Sequence, residues 1–372
     1  MKSKTKSRKV ILSEAFKAKV EEFRRIIDQD INNYSYKNKI VSSLDGAICK
    51  TWSKDTSLVK VTERNRFPNV NGYTPDFMFG FSNGYHVICE FKTMWRPDGE
   101  SDNDLVQLSS YKRLCSAEVE DKVGLVPTRK GDVMLIVAGS NDEAACESIA
   151  NCSHLGPGSV VVTEAHYEGQ AVNGEYIKFT YRKFGGQNGQ FGEINAGEPG
   201  TEFDLNHWFV EKRGFSPKCD RESLLESGEC PFVNDTPPPV YTIIEVIMPI
   251  INSLLDESHR DDIAMGNNIS IQFSEEDIAK KAVSKYPRVP NEKLRSWIKK
   301  GLIVLKNLGV VRLAQRGGLP TYEIYLDDSG ARLSRLKLVD RLAKGRATEE
   351  FTPVSLNHVS DQYSFDFDAM GI

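Results

Sequence analysis

The alternation on either side of Ser82-Asn83-Gly84 constrains this chain more than any other stretch. From Asp76 to Phe81 the sequence reads D-F-M-F-G-F, with Phe at every second position, and from Tyr85 to Lys92 it reads Y-H-V-I-C-E-F-K. A period of two marks strands, and Ser-Asn-Gly between them marks a turn. A three-residue loop with Gly84 left-handed pairs Phe81 with Tyr85, Gly80 with His86, Met78 with Ile88 and Asp76 with Glu90. A two-residue loop slides the ladder by one and sends the two acids to opposite faces. The three-residue loop is the register expected here.

In that register two carboxylates stand opposite each other on one sheet face, where like charges repel. A divalent cation between them turns the repulsion into a binding site, and oxygen-only ligands select a hard ion, Mg²⁺ or Mn²⁺. Lys92 follows Glu90 by two residues and shares its face. Two acids, a metal and an adjacent ammonium suit phosphodiester hydrolysis: the metal polarises phosphate and activates water, and the lysine positions that water or stabilises transition-state charge. A surface hairpin with scattered charges is the plainer alternative.

Downstream, Gln107-Leu-Ser-Ser-Tyr111 lies on a helix expected over 103–116, with Ser101 and Asp102 as capping candidates. Gln107 and Tyr111 are i and i+4 and share a face. They orient a ligand or contact DNA, or they are a satisfied polar rim of helix packing. Pro75-Asp76, thirteen residues, then Glu90-Phe91-Lys92 resembles the PD-(D/E)XK nuclease signature. With the QxxxY motif it is similar to the exonuclease-like and resolvase-like branches of that superfamily, over roughly residues 35–140. The resemblance implies a restriction-endonuclease-like core. It implies Asp76 and Glu90 as metal ligands, the Phe91 carbonyl as a further ligand, Lys92 as the catalytic lysine, and products carrying a 5′-phosphate. Gln107 and Tyr111 would support the site.

A 372-residue chain has room for two domains or one large domain with additions. Its net charge of −4 places any basic surface locally. Seven cysteines form no CxxC pair, which fits reduced thiols in a cytoplasmic protein. Cys152 and His154 are too few for a zinc site. No apolar run reaches the length of a membrane span.

In chain order, residues 1–9 carry five basic residues and no acid. They read as a frayed terminus or as an arm touching phosphates. One helix is expected over Ser13–Ile31, with Phe16, Val20, Phe23, Ile27 and Ile31 on one face, and a second over 37–52, with Ile40, Val41, Leu44, Ile48 and Trp52 buried. Asp45 lies at the edge of that second stripe. The resemblance makes it the candidate for a further metal-binding acid on the helix before the sheet; a surface or capping role is the alternative. A strand over Leu58–Phe67 precedes the hairpin, and another, Asp132–Ala138, follows the Gln107 helix. A helix from Ser140 to about Ala150 comes next, and strands near 159–164 and 175–182 extend the sheet. Lys112 and Arg113, beside the QxxxY motif, are candidate contacts to the phosphate backbone. WRPDGESDND reads as a mobile loop or a plain connection.

Residues 185–239 are rich in Gly and Pro and read as a connection; His207 within them reads as packing or surface. From Val240 three helical patterns follow, the second opening at Ser274-Glu275-Glu276-Asp277 like a capping box. Then VVRLAQRGGLPTYEIYL reads as two strands. Three helices and a two-stranded wing look like a winged helix. Between Glu275 and Arg316 there are 11 Lys and Arg against four Asp and Glu. Lys293, Arg295, Lys299 and Lys300 on the third helix, and Arg312 and Arg316 on the wing, are the distribution expected of a groove-reading helix with a wing on the backbone. Winged helices also dock proteins. The tail ends DQYSFDFDAMGI and reads as disordered, as a docking peptide, or as a nucleic-acid mimic.

The expected fold is α/β: a restriction-endonuclease-like mixed sheet flanked by helices, followed by a mostly helical winged-helix domain. The expected organisation is a nuclease domain over 1–184, a connection over 185–239, a winged helix over 240–328 and a tail over 329–372. The expected function is a Mg²⁺- or Mn²⁺-dependent deoxyribonuclease targeted by the winged helix, read as an endonuclease although the QxxxY resemblance covers both endo- and exonucleolytic modes, acting in restriction, phage defence or mobile-element processing. Its partner is DNA, with a homodimer or partner subunit for double-strand cutting. The rival is a DNA-binding or assembly protein whose nuclease-like domain does not cut.

Overall fold

The computed structural model describes residues 2–54, 61–69, 72–81, 85–93, 95, 103–114, 130–138, 142–153, 155, 160–171, 174–183, 202–204, 230–265, 267, 269–316, 319–326 and 335–351. It is a mixed α/β protein of two units. One comprises Ser35–Asp235, the other Met1–Tyr34 with Thr236–Ile372.

The two helices expected before the sheet are one, α1 (Lys2–Lys54). The stretch between them, Asn32-Asn33-Tyr34-Ser35-Tyr36, holds no Gly or Pro. Poor helix formers there cost at most about 0.7 kcal/mol per residue, too little to stop a helix that buries Ile27 and Ile31 before the stretch, Tyr34 within it and Ile40 and Val41 after it. Ile40 and Val41 are fully buried within the Ser35–Asp235 unit.

In that unit α1 is followed by β1 (Val61–Asn65), β2 (Phe77–Phe81), β3 (Tyr85–Lys92), α2 (Asn103–Leu114), β4 (Lys130–Ala138), α3 (Asp142–Asn151), β5 (Val161–Ala171), β6 (Gly174–Lys183) and β7 (Glu202–Asp204). The strands form one seven-stranded sheet in sequence order. β3–β4 and β4–β5 are parallel, and the other neighbours are antiparallel. The strand expected over Leu58–Phe67 ends at Asn65, and residues 58–60 lie outside the described ones.

The β2–β3 ladder pairs Phe77 with Cys89, Met78 with Ile88, Phe79 with Val87 and Gly80 with His86. This is the register that a three-residue loop requires; the loop itself, Ser82–Gly84, lies outside the described residues. One sheet face carries Met78, Ile88, Val133, Leu135 and Val137, which form a core with Leu105, Leu108 and Tyr111 of α2 and Ala145 and Ile149 of α3. Phe91, on the opposite face, meets Tyr36 of α1 edge-on.

The second unit contains α4 (Pro239–Thr242), a π-helical turn (Ile243–Ile247), α5 (Met248–Ser253), α6 (Glu257–Ala264), β8 (Ile269–Phe273), α7 (Glu275–Lys285), α8 (Asn291–Asn307), β9 (Val311–Arg316), β10 (Leu319–Leu326) and α9 (Arg335–Phe351). The three strands are antiparallel in the order β8-β10-β9. Pro249 has no N–H for an i−4 bond, and the Glu245 carbonyl instead accepts the Tyr286 hydroxyl at 3.1 Å. Gly301 lets α8 approach the π-turn, because a Cβ there would lie 2.6 Å from Ile247 Cδ1. Ser274 and Asp277 form the expected capping box on α7.

Two sequence boundaries change. The first half of α1 belongs with the C-terminal unit, and so does part of the expected tail, as α9. Ion pairs join these two: Arg24 with Asp340, Arg335 with Asp28 at 2.8 Å, and Lys19 with Glu350 at 3.1 Å. Among the described residues no single helix is long and apolar enough to cross a membrane. His154, His207, residues 96–102 of the WRPDGESDND stretch with the Ser101 and Asp102 caps, and the tail beyond 351 lie outside the described residues.

Candidate active site

The acid pair sits where β2 enters the ladder. The Asp76 N–H donates to the Cys89 carbonyl at 3.0 Å, and the Phe91 N–H donates back to Asp76 Oδ2 at 2.7 Å. These bonds fix Asp76, one residue before the first ladder pair, against the Cys89–Phe91 stretch of β3, close enough to Glu90 to repel its charge. Both carboxyls are buried, Asp76 at 1% and Glu90 at 5% exposure.

Alternation then puts Lys92 beside Glu90, with its ammonium 3.1 Å from Oε1. Two side chains of α2 hold the other sides of that ammonium: Asp104 Oδ1 at 2.7 Å and Gln107 Oε1 at 3.1 Å. The Gln107 amide donates to the Tyr111 hydroxyl at 2.6 Å, and that hydroxyl donates to Glu90 Oε2 at 3.3 Å. One turn of α2 therefore closes a ring, Glu90–Lys92–Gln107–Tyr111, in which every polar atom has a partner. The helix is fixed to the sheet by Leu105, Leu108 and Tyr111, so the ring is held by packing and not by a loop.

The electrostatics follow from burial. Desolvation, then repulsion from Asp76, pushes the Glu90 carboxyl up to about 8, against the pull of Lys92 and Lys37. Asp76 is raised for the same first reason, with Lys37 opposing. Burial works to lower the Lys92 ammonium, but Glu90 and Asp104 outweigh it and the net shift is upward. Tyr111 is raised by burial and by Glu90, so its hydroxyl stays a donor.

Two buried acids that resist ionising side by side are a receptor for positive charge. The donor set is all oxygen, and among the described residues no three His, Cys, Asp or Glu side chains gather as a metal site. A cation here would take Asp76, Glu90, a main-chain oxygen such as the Phe91 carbonyl, and oxygens from solvent or substrate. That set fits Mg²⁺ or Mn²⁺, which keep several such ligands.

The expectation that Asp45 joins the pair is not met. Asp45 is buried at 1% exposure and ion-paired with Arg66, Nη1 to Oδ2 at 3.3 Å. The same guanidinium donates to Asn38 Oδ1, Ser42 Oγ and the carbonyls of Cys230 and Phe232. Asp45 thus neutralises an arginine that ties α1 to the 230–234 segment.

Sequence reasoning missed two groups at the site. Asp104 had a signal, since it lies one helical turn before Gln107. Lys37 had a weaker one: a lysine at helical spacing from Ile40, Val41 and Leu44, on a stripe otherwise apolar. Its ammonium is 2.9 Å from Asp76 Oδ1.

The candidate phosphate contacts divide. Lys112 and Arg113 are exposed on α2; Lys112 donates to the Leu155 carbonyl at 3.1 Å and Arg113 to Ser110 Oγ at 3.2 Å. In the other unit Arg295 is engaged with Glu276 through both terminal nitrogens and with Asn291 at 2.9 Å, which removes it as a free phosphate ligand. Lys299 is exposed on α8, Lys293 and Lys300 are half-buried on it, and Arg312 is exposed on β9. Arg316 ends β9, before the undescribed turn at Gly317–Gly318. No family model, curated protein or solved structure matches the chain, so the reading of the site rests on this geometry.

Proposed function

We propose that the chain is a Mg²⁺- or Mn²⁺-dependent nuclease of the PD-(D/E)XK type that hydrolyses phosphodiester bonds in DNA. One observation carries the reading: Asp76 lies close enough to repel Glu90, Lys92 pairs with Glu90, and Gln107 and Tyr111 hold Lys92 and Glu90 in place. A divalent cation bound by the two acids supplies Lewis acidity and an activated water. Asp76 and Glu90 provide the anionic oxygens. Lys92 keeps a fixed positive charge 3.1 Å from Glu90, placed to hold the attacking water or to stabilise charge on the phosphate. Gln107 and Asp104 stop that ammonium from collapsing onto Glu90 alone, and Tyr111 orients the Glu90 carboxyl by donating to its Oε2.

The second unit supports a DNA-targeting role. Its order of helix, strand, helix, helix and two strands, with the strands arranged β8-β10-β9, resembles a winged helix. The exposed Lys299 of α8 and Arg312 of β9 suit a helix in a groove with a wing on the backbone. A cutting unit joined to a binding unit suits restriction, phage defence or mobile-element processing.

The test is incubation of pure protein with plasmid and with a defined linear duplex, in Mg²⁺, in EDTA, and with Lys92→Ala. Nicking or cutting that needs Mg²⁺ and disappears in Lys92→Ala is the expected result. Intact DNA in every lane would refute catalysis and favour a non-cleaving DNA-binding protein, and cleavage of RNA alone would reassign the substrate.

A further inference from the structure

Lys37 lies outside both sequence motifs, yet it is the cation nearest Asp76. Its ammonium is 2.9 Å from Asp76 Oδ1, 2.5 Å from Asp235 Oδ2 and 5.9 Å from the centroid of the Phe91 ring. Its side chain is only 14% exposed. Asp76 has two oxygens, and the Phe91 N–H takes Oδ2. Oδ1 is the oxygen left for a metal, and Lys37 sits on it.

We propose that Lys37 is a built-in counter-ion that competes with the divalent cation for Asp76, and that Asp235 receives its ammonium when the metal takes Oδ1. The proposal rests on Asp76 and Glu90 being a metal pair. Two buried acids without a positive partner would repel, so an ammonium 2.9 Å from Asp76 Oδ1 offsets that repulsion and holds the side chain in place in the metal-free protein. A dication attracts the same oxygen with twice the charge, and the ammonium gives way. Asp235 makes that exchange cheap. It already shares the ammonium, and at 54% side-chain exposure it accepts the charge with little desolvation. The movement is a side-chain rotation, with α1 unmoved. Lys37 is thus a positioning residue that sets metal affinity, distinct from Lys92, whose ammonium is held by Glu90, Asp104 and Gln107.

The test is Mn²⁺ binding to the full-length protein, read by electron paramagnetic resonance at fixed pH without DNA. Lys37→Met removes the competitor and tightens Mn²⁺ binding by about tenfold, within the usual range of coupling between competing ligands. It also lowers the melting temperature of the metal-free protein, and saturating Mn²⁺ restores most of the loss. Asp235→Asn removes the acceptor, leaves the ammonium on Asp76 and weakens binding. In the Lys37→Met background Asp235→Asn has little effect. Unchanged or weaker binding in Lys37→Met overturns the proposal, as does an Asp235→Asn effect of equal size in both backgrounds. If Lys37→Met does not fold, Asp235→Asn, a surface change, must still weaken binding for the proposal to stand. Saturable Mn²⁺ binding that Asp76→Asn abolishes keeps the metal-pair reading whatever Lys37 does. Absence of saturable binding in both wild type and Lys37→Met overturns that reading and the proposal with it.

Discussion

Replacing Arg66 with methionine removes the most heavily used side chain of the Ser35–Asp235 unit. The guanidinium is 1% exposed and serves five acceptors: Asp45 at 3.3 Å, Asn38 at 3.2 Å, Ser42 at 3.0 Å, and the carbonyls of Cys230 and Phe232 at 3.3 and 2.9 Å. Methionine fills most of the volume, so the loss is electrostatic. It takes from Asp45, also 1% exposed, its Arg66 counter-charge, and breaking such a buried pair costs roughly 3–5 kcal/mol. Each abandoned carbonyl adds up to about 1–3 kcal/mol, less where water enters. An overall loss of about 4 kcal/mol is expected, a large share of a domain's usual stability of about 5–15 kcal/mol. Asp45→Leu added to Arg66→Met should recover about half, because the acid that lost its counter-charge is then gone. The assay is urea unfolding followed by tryptophan fluorescence in a Trp297→Phe background. The remaining tryptophans, Trp52, Trp95 and Trp208, all fall between residues 35 and 235 and report that unit alone. A loss below about 1 kcal/mol for Arg66→Met, or no recovery in the double variant, would refute the argument. If Asp45→Asn abolished Mn²⁺ binding at unchanged stability, Asp45 would return to the metal site.

Lys92→Ala should lower cleavage by about 10²–10³-fold or more, as expected for a lost charge stabiliser, while Tyr111→Phe should cost less because only the orientation of Glu90 loosens; single-turnover cleavage rates with circular dichroism as a folding check decide this. Metal binding requires the Glu90 carboxylate, whose proton is held up to about 8, so Mn²⁺ affinity should rise with pH and level off above about 8. Titration calorimetry in two buffers of different ionisation heat should show proton release below that pH, and pH-independent affinity between 6 and 8 would contradict it. His86 is buried at 3% exposure, neither ring nitrogen has a hydrogen-bond partner among the described residues, and burial lowers its pKa from 6.5 to about 4. The unfolded chain therefore binds this proton first: stability is intact above 6.5 and falls as pH drops toward 4, by up to roughly 3 kcal/mol, from 1.36 kcal/mol per unit. His86→Phe should flatten that part of the curve, and unaltered pH dependence in the variant would count against it.

The sequence could show the sheet half of the site because a strand reports its own geometry. With a period of two and a short turn, the residues alone specify that Met78 meets Ile88 and Gly80 meets His86, and that Asp76 precedes the first pair, Phe77 with Cys89. The α2 half was legible for a similar reason: Gln107 and Tyr111 share a helix face whatever that face meets, and the fully buried Tyr111 and Leu108 determine that it is the sheet. What a sequence does not encode locally is the rotation of one element against another that is far away in the chain. Lys37 and Asp45 lie eight positions apart on one helix, both on or near its buried side. Which of them meets Asp76 and which meets Arg66 depends on the docking of α1, a tertiary quantity. A rule of residue type favoured the acid, since metal sites are made of acids. Electrostatics decides the other way: Asp76 and Glu90 already crowd two negative charges into a dry pocket, and a third buried acid would add repulsion that only a metal could offset. A lysine there balances the charge until a metal replaces it, and Asp45 instead serves as the buried counter-charge of Arg66.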